Sequence, residues 1–289
     1  MRPLLALAVP TYDDYRGLSM TLQSLGVHQK NSIPVTVFDN FGECKGTTAF
    51  CSNDKGMKYV VDTKVKSTAY AKDRAISETD ADFVLVTDSH VMLNVEGLDA
   101  LKKYLATLPK DCKDIFHGCL VDWKNKITAT ELKPTWSNGM WGQWFDRTEG
   151  GKKALPEEGF EIFAHGGGCF CVSKLAWPGF HPRCSGFGGE EGAIQEQIRA
   201  RGGRAITLPF LRWTHSFNDK AGSKHLIYSR DKFRNYLLNL TGTPKALKSW
   251  SECITHFSDH LSMKEIKEIV AECLPHGVAI KASMELVVQ

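Results

Sequence analysis

The stretch Asp82-Phe83-Val84-Leu85-Val86-Thr87-Asp88-Ser89-His90-Val91-Met92-Leu93 decides the fold. Its first half is a short apolar run rich in β-branched residues, the pattern of a strand covered on both faces. Its second half closes that strand with a carboxylate and an imidazole two residues apart. Side chains alternate along an extended chain, so Asp88 and His90 are expected on one side and Ser89 on the other. In open α/β sheets ligands bind beyond the carboxyl ends of the strands, where this pair would lie. One carboxylate and one imidazole suit a divalent metal, and a metal there can hold a diphosphate. The structural alternative is an Asp that turns the chain beside an incidental surface His. These residues alone do not separate the two readings.

Upstream, residues 4–9 read as a first strand ended by Pro10. Thr11-Tyr12-Asp13-Asp14-Tyr15-Arg16 is then a polar loop leading into a helix with Leu18, Leu22 and Leu25 on one face. Residues 35–38 read as a second strand ending in Asp39-Asn40, and residues 59–62 as a third. Between 68 and 79, Ala69, Ala71, Ala75 and Ile76 mark a helix that carries Lys72 and Arg74. Downstream of the central stretch, Leu98, Leu101, Tyr104 and Leu105 mark another. This alternation predicts an α/β fold with a mostly parallel, doubly wound sheet. Three acids then fall at or just after strand ends: Asp13 or Asp14, Asp39 and Asp88. Each alone is a common turn residue. Together they outline one edge of a nucleotide site, in which Asp39 could hydrogen-bond a base. Lys72 and Arg74 could neutralise phosphate there, although a solvated helix face accounts for either cation taken singly.

The second half changes character. Residues 115–123 read as a strand, followed by Trp136, Trp141 and Trp144 in a segment that includes Gly139 and Gly142. Aromatic residues in such a loop form a sugar or base platform, or else fill a satellite core. Residues 150–159 have the composition of a mobile loop. His165-Gly166-Gly167-Gly168 leads into the apolar Cys169-Phe170-Cys171-Val172, and glycines before a strand let the backbone approach a ligand closely. Gly186-Phe187-Gly188-Gly189-Glu190-Glu191 is read as opening a helix with Ile194 and Ile198 on one face, capped at Arg201-Gly202-Gly203. Acids in a first helical turn suit the helix dipole, which is reason enough for one of them. Residues 205–208 form a further strand, with Arg212-Trp213-Thr214-His215 after it.

At 289 residues, 42% hydrophobic and 24% charged, the chain has the makeup of a soluble globular protein with a substantial core. A net charge of +3 does not by itself argue for nucleic acid. The nine cysteines are odd in number and scattered, with no spacing that marks a zinc site, so they read as reduced thiols of an intracellular protein. The N-terminal apolar run is too short for a signal peptide and fits a core strand. No run reaches membrane-spanning length. The expectation is a cytoplasmic protein without membrane insertion.

In this order, the motifs resemble those of GT-A-fold glycosyltransferases. Pro10-Thr11-Tyr12 after the first strand is similar to the family-2 type. Asp88-Ser89-His90, the glycine run, Gly188-Gly189-Glu190 and His215 look like the polypeptide N-acetylgalactosaminyltransferases. The resemblance covers roughly residues 4–217 and, as an ordered set, is far more specific than Asp-x-His alone. It implies a divalent cation, manganese or magnesium, held by Asp88, His90 and His215. It implies a UDP-sugar donor contacted by Thr11, Tyr12, Asp39, Lys72, Arg74, Asp88, Gly167 and Gly168. Glu190 falls at the family's acidic position near the transferred sugar. Glu191 replaces the Asn usual after it, which leaves open which carboxylate acts and whether the configuration is retained or inverted. The absence of a lectin module, a signal anchor and a luminal disulfide framework argues against a secretory-pathway role.

Residues 1–217 are therefore expected to form the GT-A domain and 218–289 a helical extension. From about Asp219 the sequence matches nothing in that family. Phe233, Tyr236, Leu237 and Leu240 mark one helix, and Ile266, Ile269 and Val270 another. Tyr228, Arg230, Lys232, Arg234, Lys245 and Lys248 make its first part basic. That run is either a solvated face or a surface for an acceptor, including a nucleic-acid backbone. Three functions follow. The first is a metal-dependent hexosyl- or N-acetylhexosaminyltransferase moving a sugar from a UDP-sugar to an acceptor hydroxyl that the sequence does not identify (DNA, protein or glycan), with Trp141 and Trp144 as acceptor contacts. The second is a bacteriophage-type enzyme that glycosylates hydroxymethylated bases in DNA. The third is a catalytically silent sugar- or nucleotide-binding module, against which the intact Asp88, His90, Glu190 and His215 set speaks.

Overall fold

The computed structural model describes residues 2–26, 33–53, 56–137, 139–216, 228–240 and 246–273. Strands and helices alternate from the start: β1 (Leu5–Thr11), α1 (Tyr15–Ser24), β2 (Val35–Asp39), α2 (Lys45–Asn53), β3 (Met57–Val61), α3 (Thr68–Glu78) and β4 (Phe83–Thr87). β1, β2 and β4 are buried along their whole length, as apolar runs covered on both faces must be. α3 begins where the Ser67 side chain accepts a hydrogen bond from the Tyr70 backbone N–H, and its face of Ala69, Ala71, Ala75 and Ile76 is buried on the sheet. Alanines on that face let the helix lie close to β1 and β2.

Next come β5 (Val91–Leu93), α4 (Val95–Leu105), β6 (Ile115–Val121), β7 (Ile127–Ala129), β8 (Glu131–Ser137), β9 (Met140–Phe145), β10 (Phe160–Glu161), β11 (Cys169–Ser173), α5 (Ala193–Ala200) and β12 (Ala205–His215). The main sheet runs β10-β12-β6-β11-β4-β1-β2-β3. Its β3-β2-β1-β4 half is parallel. β11 lies antiparallel between β4 and β6, and β12 runs parallel to β6. Connections reverse direction between β1 and β4, so a crevice opens there beyond the strands' carboxyl ends. Asp39 ends β2 and Asp88 follows β4, on the same edge and separated only by β1.

Several sequence expectations need correction. The central stretch is not extended throughout: β4 stops at Thr87, a turn carries residues 88–90, and β5 turns away to pair with β12. The alternation argument therefore fails at Ser89, which is buried and donates to Asp14. The tryptophan segment is the β8–β9 hairpin rather than a loop. Glu190 and Glu191 precede α5 instead of forming its first turn, because Gly188, Gly189 and Gly192 take positive φ values of 83°, 86° and 77°. The strand expected over 205–208 continues to His215, past an irregularity between Leu208 and Arg212 that follows Pro209.

α6 (Ser229–Leu240), α7 (Ala246–Phe257) and α8 (Met263–Cys273) complete the described chain. Phe233, Tyr236 and Leu237 of α6 are buried in the same core as Val86 of β4 and Phe170 of β11. Each such side chain contributes about 1.5–3 kcal/mol, so α6 is part of the core that covers this face of the sheet. Asp219 and the boundary expected at 217/218 lie outside the described residues. So do Lys245 and the side chain of Lys248. No described helix is long and apolar enough to cross a membrane.

Candidate active site

Three side chains converge at the end of β4. Asp88 follows the strand, with its backbone N–H donating to the Gly168 carbonyl at 2.9 Å. His90 comes two residues later in the turn. His215 is the last residue of β12 and pairs with Val91, so strand pairing sets it beside His90. The two imidazole rings stand 4.6 Å apart, centroid to centroid, and nearly perpendicular. One ligand atom from each of Asp88, His90 and His215 lies within 4.8 Å of the others. Two imidazole nitrogens and a carboxylate oxygen form a donor set for manganese and its neighbours rather than for calcium. His90 Nδ1 is 2.9 Å from Asp14 Oδ2, which leaves Nε2 for a cation.

A cavity of about 350 Å³ lies against this group, lined by residues from both halves of the chain. Thr11, Tyr12, Lys72, Asp88, Gly167, Gly168, Glu190 and Glu191, named from the sequence, line it together with Gly166. Lys72 is buried, and its Nζ lies 3.5 Å from Asp88 Oδ1 and 3.5 Å from Glu190 Oε1. A Cβ on Gly167 would stand 2.9 Å from that Nζ, so glycine makes room for the ammonium. Glu190 is 3% exposed, and its Oε2 has no hydrogen-bond partner among the described residues.

The charges are mutually dependent. Burial alone would neutralise Lys72, but Asp88, Glu190 and Glu191 hold it above the ordinary lysine range. Burial would likewise push Asp88 up, yet Lys72, a hydrogen bond from His215 and the charge of His90 hold it well below the carboxylate range. Burial lowers His90 less than Asp14 and Asp88 raise it. Glu191 goes the other way: burial, and then the like charge of Glu190, push it up to about 7. The cavity thus holds a charged cluster with a carboxyl poised near neutrality beside it.

Other candidate residues lie elsewhere. Asp39 is fully buried outside the cavity lining; Oδ1 accepts from the Phe41 and Gly42 backbone N–H groups and Oδ2 from the Tyr59 hydroxyl. Asn40, its neighbour, faces the cavity instead. Arg74 turns away along α3, 2.8 Å from Glu78. Trp141 packs on Phe163 under Gly192, with its backbone N–H donating to Tyr236, whereas Trp144 lines the cavity over Gly166. Of the basic C-terminal run, Arg230 and Arg234 pair with Glu268 and Glu272 of α8, and Lys232 faces the cavity. Sequence reasoning missed the cavity roles of Lys232, Phe187, Met140 and Leu132. The basic run contained Lys232, but no periodicity tells which of its cations turns inward.

No protein-family model matches the chain, and no curated protein sequence does. Solved structures do. The crystal structure of GalNAc-T7 with UDP, GalNAc and Mn2+ matches with a TM-score of 0.66 at 13% identity, over 94% of this chain and 54% of that one. S. aureus TarS 1-349 matches with a TM-score of 0.54 at 11% identity, over 97% of this chain and 77% of that one. The mannosyltransferase PcManGT from Pyrobaculum calidifontis, in complex with GDP-Man and Mn2+, gives 0.53 at 13% identity, over 100% and 79%. This chain spans about half the length of the GalNAc-T7 chain. The likeness is one of fold: the chain has the mixed α/β GT-A architecture with a mostly parallel central sheet.

Proposed function

We propose that this chain is a metal-dependent glycosyltransferase that moves a hexosyl or N-acetylhexosaminyl group from a UDP-sugar to an acceptor hydroxyl. One observation carries the reading. Asp88, His90 and His215 converge at the sheet's switch point, in the same cavity as Lys72, Glu190 and Glu191. Neighbours of the same fold hold UDP and Mn2+, or GDP-Man and Mn2+, which supports the donor class.

A divalent cation, Mn2+ or Mg2+, on Asp88, His90 and His215 would supply positive charge at the diphosphate oxygens. Lys72, beside Asp88, adds a second charge for the departing diphosphate. Glycines at 167 and 168 let the donor approach the backbone. Thr11 and Tyr12 border the nucleotide end, and Asp39 acts there by fixing the loop at Phe41 and Gly42. Glu190 or Glu191 positions the acceptor hydroxyl or takes its proton, and Trp144 offers the acceptor an aromatic wall. The DNA-modifying reading has less support: Arg230 and Arg234 are already ion-paired, so among the described residues the basic run is not a continuous strip for a phosphate backbone.

Incubation with a panel of UDP- and GDP-sugars, with and without Mn2+, tests the reading. Mass spectrometry would follow products on protein, glycan and hydroxymethylated DNA acceptors. Metal-dependent UDP release with sugar transfer supports it. Donor binding that never leads to turnover would favour the silent module.

A further inference from the structure

We propose that Asp14 is a positioning residue for the metal site, fixing the tautomer and orientation of His90 so that Nε2 presents a lone pair to the cation. The inference rests on the metal-dependent reading above and concerns a residue outside the ligand set.

Asp14 is 2% exposed and sits between β1 and α1. Asp13 before it takes φ 48°, a left-handed turn that Asp tolerates, and the chain bends there. The Asp14 carboxylate faces two ways. Oδ1 accepts from the Gly17 backbone N–H at 3.0 Å, an ordinary helix N-cap. Oδ2 accepts from the Ser89 hydroxyl at 2.7 Å and lies 2.9 Å from His90 Nδ1. Helix capping accounts for the first oxygen only. The second is buried against two side chains of the metal-site turn, some 75 residues away in the chain. Gly17 is part of the arrangement, because a Cβ there would stand 2.3 Å from Oδ2.

An ionised carboxylate can only accept, so His90 Nδ1 must carry the hydrogen and the Nε2 lone pair faces Asp88 and His215. A carboxylate behind a ligating imidazole also raises the basicity of the ligand, and loss of such a partner typically lowers metal affinity about 10- to 100-fold. A separate bond, from the Thr21 hydroxyl to the Ser89 carbonyl at 3.0 Å, ties α1 to the same turn without touching the imidazole. That bond provides the control.

In Asp14→Asn, the amide oxygen keeps the helix cap while the NH2 group faces His90, which must then accept at Nδ1 and carry its proton on Nε2. Mn2+ affinity of the full chain would be measured by electron paramagnetic resonance, with and without UDP, alongside Thr21→Val and melting temperatures. Asp14→Asn is expected to lose about 10- to 100-fold in Mn2+ affinity, whereas Thr21→Val stays close to wild type. Imidazole 15N shifts of the metal-free wild type in alkaline buffer should report the Nδ1–H tautomer. Wild-type affinity in folded Asp14→Asn, equal losses in both variants, or an Nε2–H tautomer in the wild type would each overturn the proposal. A wild type that binds no Mn2+ even with UDP would overturn the metal-dependent reading, and this inference with it.

Discussion

Lys72 and Asp88 form an ion pair inside the cavity, Nζ to Oδ1 at 3.5 Å, on the carboxylate that also belongs to the candidate metal-ligand group. The ammonium therefore opposes the charge of the cation proposed for Asp88, His90 and His215.

Removing that ammonium should separate two effects. Like charges about 4 Å apart oppose each other by about 4 kcal/mol at an effective dielectric of 20. Lys72→Met is therefore expected to bind Mn2+ alone at least tenfold more tightly and UDP more weakly. It should also melt lower than wild type, since Asp88 and Glu190 lose their partner, and regain part of the difference on adding Mn2+. Titration calorimetry with each ligand reads both effects. Unchanged Mn2+ affinity would mean that the pair is incidental to the metal site.

His215→Ala should reduce Mn2+ affinity and, with it, the metal-dependent part of UDP binding. Metal-independent UDP binding should stay the same. If the variant binds Mn2+ and UDP as wild type does, His215 is not a ligand.

Glu190→Gln is expected to lower kcat by about 10²–10⁴ with little change in donor affinity, the pattern of a group that acts in the chemical step. Steady-state kinetics on both Gln variants decides between the carboxylates. An unchanged rate in both would reduce these acids to structural roles.

Glu191 gives a pH signature. Its folded-state pKa of about 7 lies above the ordinary glutamate value of 4.5, so between those limits the folded chain holds a proton that the unfolded chain has released. Stability from this group is present at low pH and lost as pH rises through about 7. Melting temperatures from pH 5 to 8 should show Glu191→Gln gaining on wild type as pH increases. A difference that does not vary with pH would contradict the raised value.

Gly167→Ala places a methyl group 2.9 Å from Lys72 Nζ. A lysine tip can swing aside, so the melting temperature should hardly move while UDP affinity drops several-fold. Unaltered UDP affinity would show that the position of Lys72 is not tightly set.

Much of this was legible in the sequence. The apolar runs of β1, β2 and β4 and the alanine face of α3 depend on local pattern, and that pattern also put Asp88 at the carboxyl end of its strand. Other parts depend on distant partners. β5 is three residues long and exists because β12 pairs with it. β12 reads as two pieces since Pro209 interrupts an otherwise continuous strand. Asp39 sits at the expected strand end, but whether its oxygens face a ligand or the Phe41–Gly42 loop is decided by tertiary geometry. The inward turn of Lys232 and the outward turn of Arg74 have no period to betray them.

The pairing of Val91 with His215 also orders the site in time. His90 leaves the ribosome roughly 125 residues before its partner, and contacts of such separation close late in folding. Until β12 pairs with β5, a nascent chain brings together only two of the three proposed ligands. A chain cut before β12 would therefore carry the Asp88-Ser89-His90 motif without the third proposed ligand beside it.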